Sequence, residues 1–352
     1  MAGPPSGRRM SAGAYLRLAR VQTAGVTATV PVYGYIAAAS ASGPGVEPAL
    51  GDLYAVLLLV AAGFFAHVFG FVQNEIADLE VDARASYRRP KPLPSGAASI
   101  PVAVAVMLAG AVGYLAAAML LSGAPDHAPL WFALLSILLA DLYNERGKDI
   151  VGGDLFLAAS IALLVLFGAS TLSGFEAMVS PPVLAVALLA GLQLFFNNAF
   201  EGGFKDHASD LAGGKRTLVL ALRARGAKYD SPDGLVYFAQ VPVHALWLAV
   251  GLVAVLGPFA SGDPNVNYLR VLFLFGLVVL MTRYYGRGIA VPERRRMLAY
   301  FSLHEVLAML LLLVVLVPPL SLGAAALLFL APLAVFVGAN ASLYGTPTAP
   351  DV

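Results

Sequence analysis

Residues 52–82 read DLYAVLLLVAAGFFAHVFGFVQNEIADLEVD. The first part of this stretch is continuously apolar, and a helix needs roughly 20 such residues to cross a hydrocarbon core of about 30 Å. Strands of the outer-membrane barrel type alternate with period two, and this run does not. Its last nine residues then place Asn74, Asp78 and Asp82 four apart, on one face of a continuing helix. A single segment thus predicts a membrane-embedded helix that ends in a cluster of acids.

The rest of the chain agrees. Of 352 residues, 59% are apolar and 12% charged, with a mean hydropathy of +0.79. A soluble globule carries about 25% charge, so this composition excludes one. With no cysteine, disulfides, thiolate nucleophiles and Cys-ligated metals are excluded. A net charge of +1 argues against a nucleic-acid partner, which would need a broad basic field. The basic first twenty residues lack an apolar stretch ending in a cleavage site, which predicts no removable signal peptide.

Ten apolar segments stand out, near 21–42, 52–74, 100–122, 128–143, 153–175, 181–201, 235–258, 268–286, 298–317 and 320–343. Counted against them, all 22 lysines and arginines except Arg270 fall on one side, and the positive-inside rule makes that side cytoplasmic. The expected fold is an all-α polytopic transmembrane helical bundle of nine to ten helices around a central cavity open to the cytoplasmic side. A single domain spanning 1–352 is expected in the cell membrane, with polar cytoplasmic inserts near 75–99 and 202–234.

A second acidic cluster follows the sixth segment: Glu201, Lys205, Asp206 and Asp210. Like charges on adjacent helical turns repel, so each cluster requires a cation. Oxygen-only ligands favour a hard ion such as Mg²⁺. Polar stripes run upstream of both clusters, His67 above Asn74 and Gln193–Asn197 above Glu201. At membrane depth such groups face a protein interior or wet cavity, so both stripes point to one shared cavity.

Bases alternate with these acids. Arg84 follows Asp82, ahead of Arg88-Arg89-Pro90-Lys91-Pro92; Tyr143, Arg146 and Lys148 follow the fourth segment; Lys215 and Arg216 follow Asp210. Topology and contact with anionic lipid account for many basic residues. Acids interleaved with bases instead suggest a metal-bridged diphosphate.

Asn74–Asp82 resembles the NDxxDxxxD motif of the UbiA superfamily of intramembrane prenyltransferases, with Glu75 in place of the usual aspartate. Arg89–Gly96 resembles the RPxxPxPSG-type segment that follows it. Lys205–Asp210 with Gly213–Leu218 is similar to the family's second aspartate motif. The resemblance covers roughly 15–318 and implies a helical bundle that binds an isoprenyl diphosphate through Mg²⁺ and alkylates a lipophilic acceptor. Such enzymes are usually described with nine spans, so the final apolar run is either an added helix or a different break within 298–343.

On this resemblance Asn74, Asp78, Asp82, Asp206 and Asp210 are the expected metal ligands, the four aspartates also counting as catalytic. Arg84, Tyr143, Arg146, Lys148, Lys205 and Lys215 are the expected diphosphate contacts. The donor would be a polyprenyl diphosphate such as geranylgeranyl diphosphate, ionising to an allylic carbocation that neighbouring aromatic faces stabilise. Arg20 resembles an arginine that members acting on aromatic acids place at the start of the first span, which implies a 4-hydroxybenzoate-like acceptor; it also reads as a topology-setting charge. An isoprenoid glycerol phosphate or another quinone precursor is the alternative acceptor. His304 and Glu305 read as a helix-to-helix polar contact or an acceptor-side base. A proton- or cation-coupled transporter is the competing class, but it would keep its ionisable groups near the midplane.

Overall fold

The computed structural model describes residues 11–41, 51–84, 91–123, 126–318 and 320–346. Among these residues the chain is helical, with no strand. In order the helices are α1 (Ala12–Leu18), α2 (Val21–Ala41), α3 (Leu53–Ala77), α4 (Leu79–Arg84), α5 (Ile100–Leu121), α6 (Ala128–Arg146) and α7 (Asp154–Ser173). They continue with α8 (Pro181–Phe196), α9 (Gly203–Ala212), α10 (Leu218–Gly226), α11 (Pro232–Leu256), α12 (Pro264–Ala290), α13 (Arg294–Leu316) and α14 (Leu322–Tyr344). A π-helical turn, Asn197–Gly202, joins α8 to α9 without a break.

Each of the ten apolar segments is a helix. Eight helices, counting α8 through α9 as one, are long and apolar enough to cross a membrane. The other two, α2 and α6, are more polar because both help to line the central cavity, α2 with Gln22 and Thr27 and α6 with Ser136 and Asn144. Local signals set the ends. Prolines stand in the first turn of α5, α6, α8, α11 and α12, where a missing N–H costs no helical bond. Asp52 caps α3 by accepting from the Ala55 N–H at 3.0 Å.

Helix α2 is central and packs on α3, α7, α8 and α14. It crosses α7 with backbones in contact: a Cβ at Gly34 would overlap the Val165 carbonyl, and one at Gly168 would overlap the Pro31 carbonyl. Within a membrane there is no hydrophobic drive between helices, so this close approach is what lets dispersion hold the pair.

The final apolar run is a separate helix. Tyr33 on α2 donates to the Leu328 carbonyl at 3.5 Å, and Gly25 lies against Pro332, so α14 runs antiparallel along α2. Its last residues, Leu343 and Tyr344, reach the cavity that Arg20 also lines.

Arg270, the exception in the one-sided count of basic residues, is 5% exposed and has an internal role. Its guanidinium donates to the carbonyls of Phe259 at 2.6 Å, Val314 at 3.0 Å and Val315 at 2.8 Å. The last carbonyls of α13 lack helical partners, and Arg270 supplies them.

Candidate active site

The two acidic motifs lie far apart in sequence but line one cavity of about 820 Å³. Helix α3 delivers the first. It ends at Ala77 with Asp78 as its cap, and α4 resumes at Leu79, so the expected continuous helix is interrupted by one residue. The backbone pattern nevertheless persists, Asp78 N–H bonding Asn74 O and Asp82 N–H bonding Asp78 O, both at 2.9 Å. Asn74 therefore reaches Asp78, its Nδ2 donating to Oδ2 at 3.2 Å. Asn74, Asp78 and Asp82 all line the cavity. On the opposing wall α9 carries Lys205, Asp206 and Asp210.

A clamp between loops closes the floor. The Arg216 N–H donates to the Lys148 carbonyl at 2.7 Å, and Lys215 Nζ donates to Asp149 at 3.0 Å. The loop after the second motif thus fixes the turn after α6, and Lys148 Nζ meets Asp78 Oδ2 at 2.6 Å. Burial works to lower the Lys148 pKa, but Asp78, with Asp210 and Asp206 behind it, outweighs that and raises it. Lys148 is therefore a fixed cation between the two acidic motifs. Tyr143, five residues before it, is buried and lines the same cavity.

The basic loop after α4 contributes a residue that sequence reasoning counted without assigning. Lys91, 8% exposed, donates to Asp82 Oδ2 at 2.6 Å and to Glu75 Oε1 at 3.1 Å. Burial raises the Asp82 carboxyl above the ordinary value, with Glu75 and Asp78 adding to it, even though Lys91 pulls the other way. Glu75 also accepts from Arg20, at 2.6 and 3.2 Å. The longer glutamate in the place of the usual aspartate is thus a strut between two cations. Burial opposes the Arg20 charge, and Glu75 more than restores it, raising its pKa.

Arg20 lines the cavity, but the charge that the resemblance assigns to an acceptor carboxylate is met from within the protein. It occupies a left-handed conformation, φ 44°, at the break between α1 and α2. His67 holds that break by contacting the Ala19 and Arg20 carbonyls through Nε2 at 3.0 and 3.1 Å.

The other expected diphosphate contacts divide. Lys148, Lys205 and Tyr143 line the cavity. Arg146 is exposed at the end of α6, and Lys215 is turned to Asp149, so neither is part of the lining. The Arg84 side chain, like Arg88 and Arg89, lies outside the described residues. Arg294, unassigned from sequence, starts α13, donates to the Lys205 carbonyl at 2.8 Å and stands 3.8 Å from Asp206. Its contacts with Lys205 and Asp206 separate it from its neighbours in the run Arg294–Arg296.

Among the described residues no three acidic or histidine side chains converge as a ready-made metal cage. That suits Mg²⁺, which dehydrates reluctantly and binds through one or two carboxylates plus water and substrate phosphate. The all-oxygen donor set facing one cavity from two sides fits such an ion bridged to an anion.

The UbiA prenyltransferase family model matches residues 28–303. Among curated proteins there is no match. The fold is similar to that of a UbiA homolog from Aeropyrum pernix K1, at TM-score 0.64 and 21% identity, covering 84% of this chain and 98% of that one. It is similar to a digeranylgeranylglyceryl phosphate synthase, at TM-score 0.58 and 17% identity, covering 87% and 97%. A UbiA homolog from Archaeoglobus fulgidus bound to GPP and Mg²⁺ gives TM-score 0.57 and 15% identity, covering 85% and 99%. At these identities the structural likeness bears on the fold. With a family match that spans most of the chain and both acidic motifs, this multi-pass membrane protein belongs to the UbiA prenyltransferase family.

Proposed function

We propose that the chain, acting as one domain in the cell membrane, transfers an isoprenyl group from a polyprenyl diphosphate to a lipophilic acceptor in a Mg²⁺-dependent reaction. The observation that carries this reading is the convergence of Asp78, Asp82, Asp206 and Asp210 on one cavity with Lys148 between them. Asp78 and Asp82, supported by Asn74, would hold Mg²⁺ on one wall, and Asp206 and Asp210 on the other. The ion supplies positive charge against the departing diphosphate. Lys148 and Lys205 bind the outer diphosphate oxygens, and Arg84 is expected to join them. Apolar walls exclude the water that would capture an allylic carbocation. The isoprenoid tail leaves between helices into lipid. The cavity mouth faces the cytoplasm on the positive-inside rule.

For the acceptor, a hydroxylated aromatic ring fits a lipophilic vestibule. Because Glu75 already neutralises Arg20, an anchoring carboxylate is not required, which keeps an isoprenoid glycerol phosphate as the second reading. The test is incubation of purified protein with labelled geranylgeranyl diphosphate, Mg²⁺ and a panel of acceptors. A prenylated product that disappears with chelator and returns with Mg²⁺ is expected. Failure to bind any prenyl diphosphate would sink the reading and revive transport.

A further inference from the structure

Behind the aspartates the cavity wall holds a second polar array. Glu201 is 4% exposed and lines the cavity from the π-helical turn. Its Oε1 faces His304 Nδ1 on α13 at 2.9 Å. His304 Nε2 meets His244 Nε2 on α11 at 2.9 Å, and His244 Nδ1 meets the Gln240 carbonyl at 3.2 Å. Both imidazoles are buried and clamped by rings: Phe196 stacks on His304 at 4.5 Å and meets His244 edge-on at 4.7 Å.

The directions of these bonds are forced. A carbonyl only accepts, so His244 carries its proton on Nδ1 and offers a lone pair at Nε2. His304 must then donate from Nε2. Its Nδ1 faces Glu201 Oε1, and neither atom has a hydrogen-bond partner among the described residues. The 2.9 Å approach lacks hydrogen-bond geometry, so the imidazole sets where the Glu201 carboxyl stands by contact. The Glu201 carboxyl is thus backed by His304 of α13, His244 of α11 and, through the imidazoles, Phe196 of α8.

Buried polar groups cost stability unless satisfied, and this array replaces what would otherwise be apolar packing. A π-turn inside a longer helix is a further mark of a functional position. Glu201 lies five residues before Asp206, about 7–8 Å further into the bundle at 1.5 Å per residue. Glu305, beside His304, lines the same cavity. Two carboxyl side chains on one cavity wall offer a hydroxyl acceptor oxygens on both sides.

We propose that Glu201, oriented by His304 and His244, forms with Glu305 the acceptor subsite, and that it takes an uncharged hydroxyl. This rests on the prenyltransferase reading above. The test measures transfer from geranylgeranyl diphosphate to hydroquinone, an isoprenoid glycerol phosphate and 4-hydroxybenzoate, alongside binding of the donor alone. Glu201→Leu should raise the KM of the hydroxylated acceptor by about 10- to 100-fold, as the loss of one charge-assisted hydrogen bond does, with the donor KM unmoved. Glu201→Gln, which keeps an acceptor oxygen, should recover most of that loss. Glu305→Leu should act in the same direction and serves if Glu201→Leu does not fold. An acceptor KM within about two-fold of wild type in both leucine variants, less than one such bond is worth, would overturn the subsite. So would an equal rise in donor KM, or turnover of 4-hydroxybenzoate alone. Failure of the unaltered protein to bind the donor would overturn the transferase reading, and this inference with it.

Discussion

Lys148 Nζ stands 2.6 Å from Asp78 Oδ2, joining the end of α6 to the end of α3 across 70 residues. The bond lies between the two acidic motifs, and the loop after the second motif holds Lys148 in place through the Arg216 N–H. Both motifs and the cation between them therefore behave as one electrostatic unit, from which the first prediction follows.

Asp78→Ala and Asp206→Ala should each lower prenyl transfer by at least about 10²–10³-fold, the effect of removing a group that acts on developing charge. Helical content by circular dichroism and elution as a single folded species should be unchanged. Near-normal Mg²⁺-dependent turnover in either variant would refute the roles proposed for these residues.

Lys91 bridges Glu75 and Asp82 where all three are almost fully buried. Lys91→Met removes the cation that Glu75 and Asp82 share, leaving Arg20 on Glu75. Breaking a buried pair this way costs about 3–5 kcal/mol, read as a lower thermal midpoint in detergent. Adding Asp82→Asn should return part of the loss, because the two sites are coupled. Additive losses would show that the contact contributes nothing.

Gly168→Val should disrupt the crossing of α2 and α7, since its Cβ would occupy the space of the Pro31 carbonyl. A backbone cannot yield as a side-chain tip can. Destabilisation should reach or exceed the about 1–3 kcal/mol typical of overpacking, seen as loss of monodisperse protein. Gly276, with open space around it, is the control: Gly276→Ala should be tolerated.

Arg270→Met removes the donors to the ends of α13 and to Phe259. Each bond to a charged donor is worth about 1.5–3 kcal/mol, so the thermal midpoint should fall clearly. Prenyl transfer per folded molecule should stay the same, because Arg270 lies at the far end of the bundle from the aspartates. A selective loss of turnover without loss of stability would contradict the structural role.

Much of this molecule is written along its primary order. Apolar run length and the one-sided distribution of basic residues are properties of the covalent chain, and they sufficed for an all-helical membrane fold with ten long segments. The spacing of Asn74, Asp78 and Asp82, and of Asp206 and Asp210, was equally legible, because neighbours four apart on a helix share a face whatever surrounds them. Partners across the bundle were not. Lys91 and Arg294 sit in basic runs in which every member looks alike from sequence; Arg146 and Lys215 belong to runs of the same kind and face away. His304 could be placed on a helix, but not opposite His244. Helical periodicity is local, whereas the pairing of charges depends on which helices lie side by side. That pairing turned Glu75 into a strut and Arg20 into its partner, and only the packed bundle decided it.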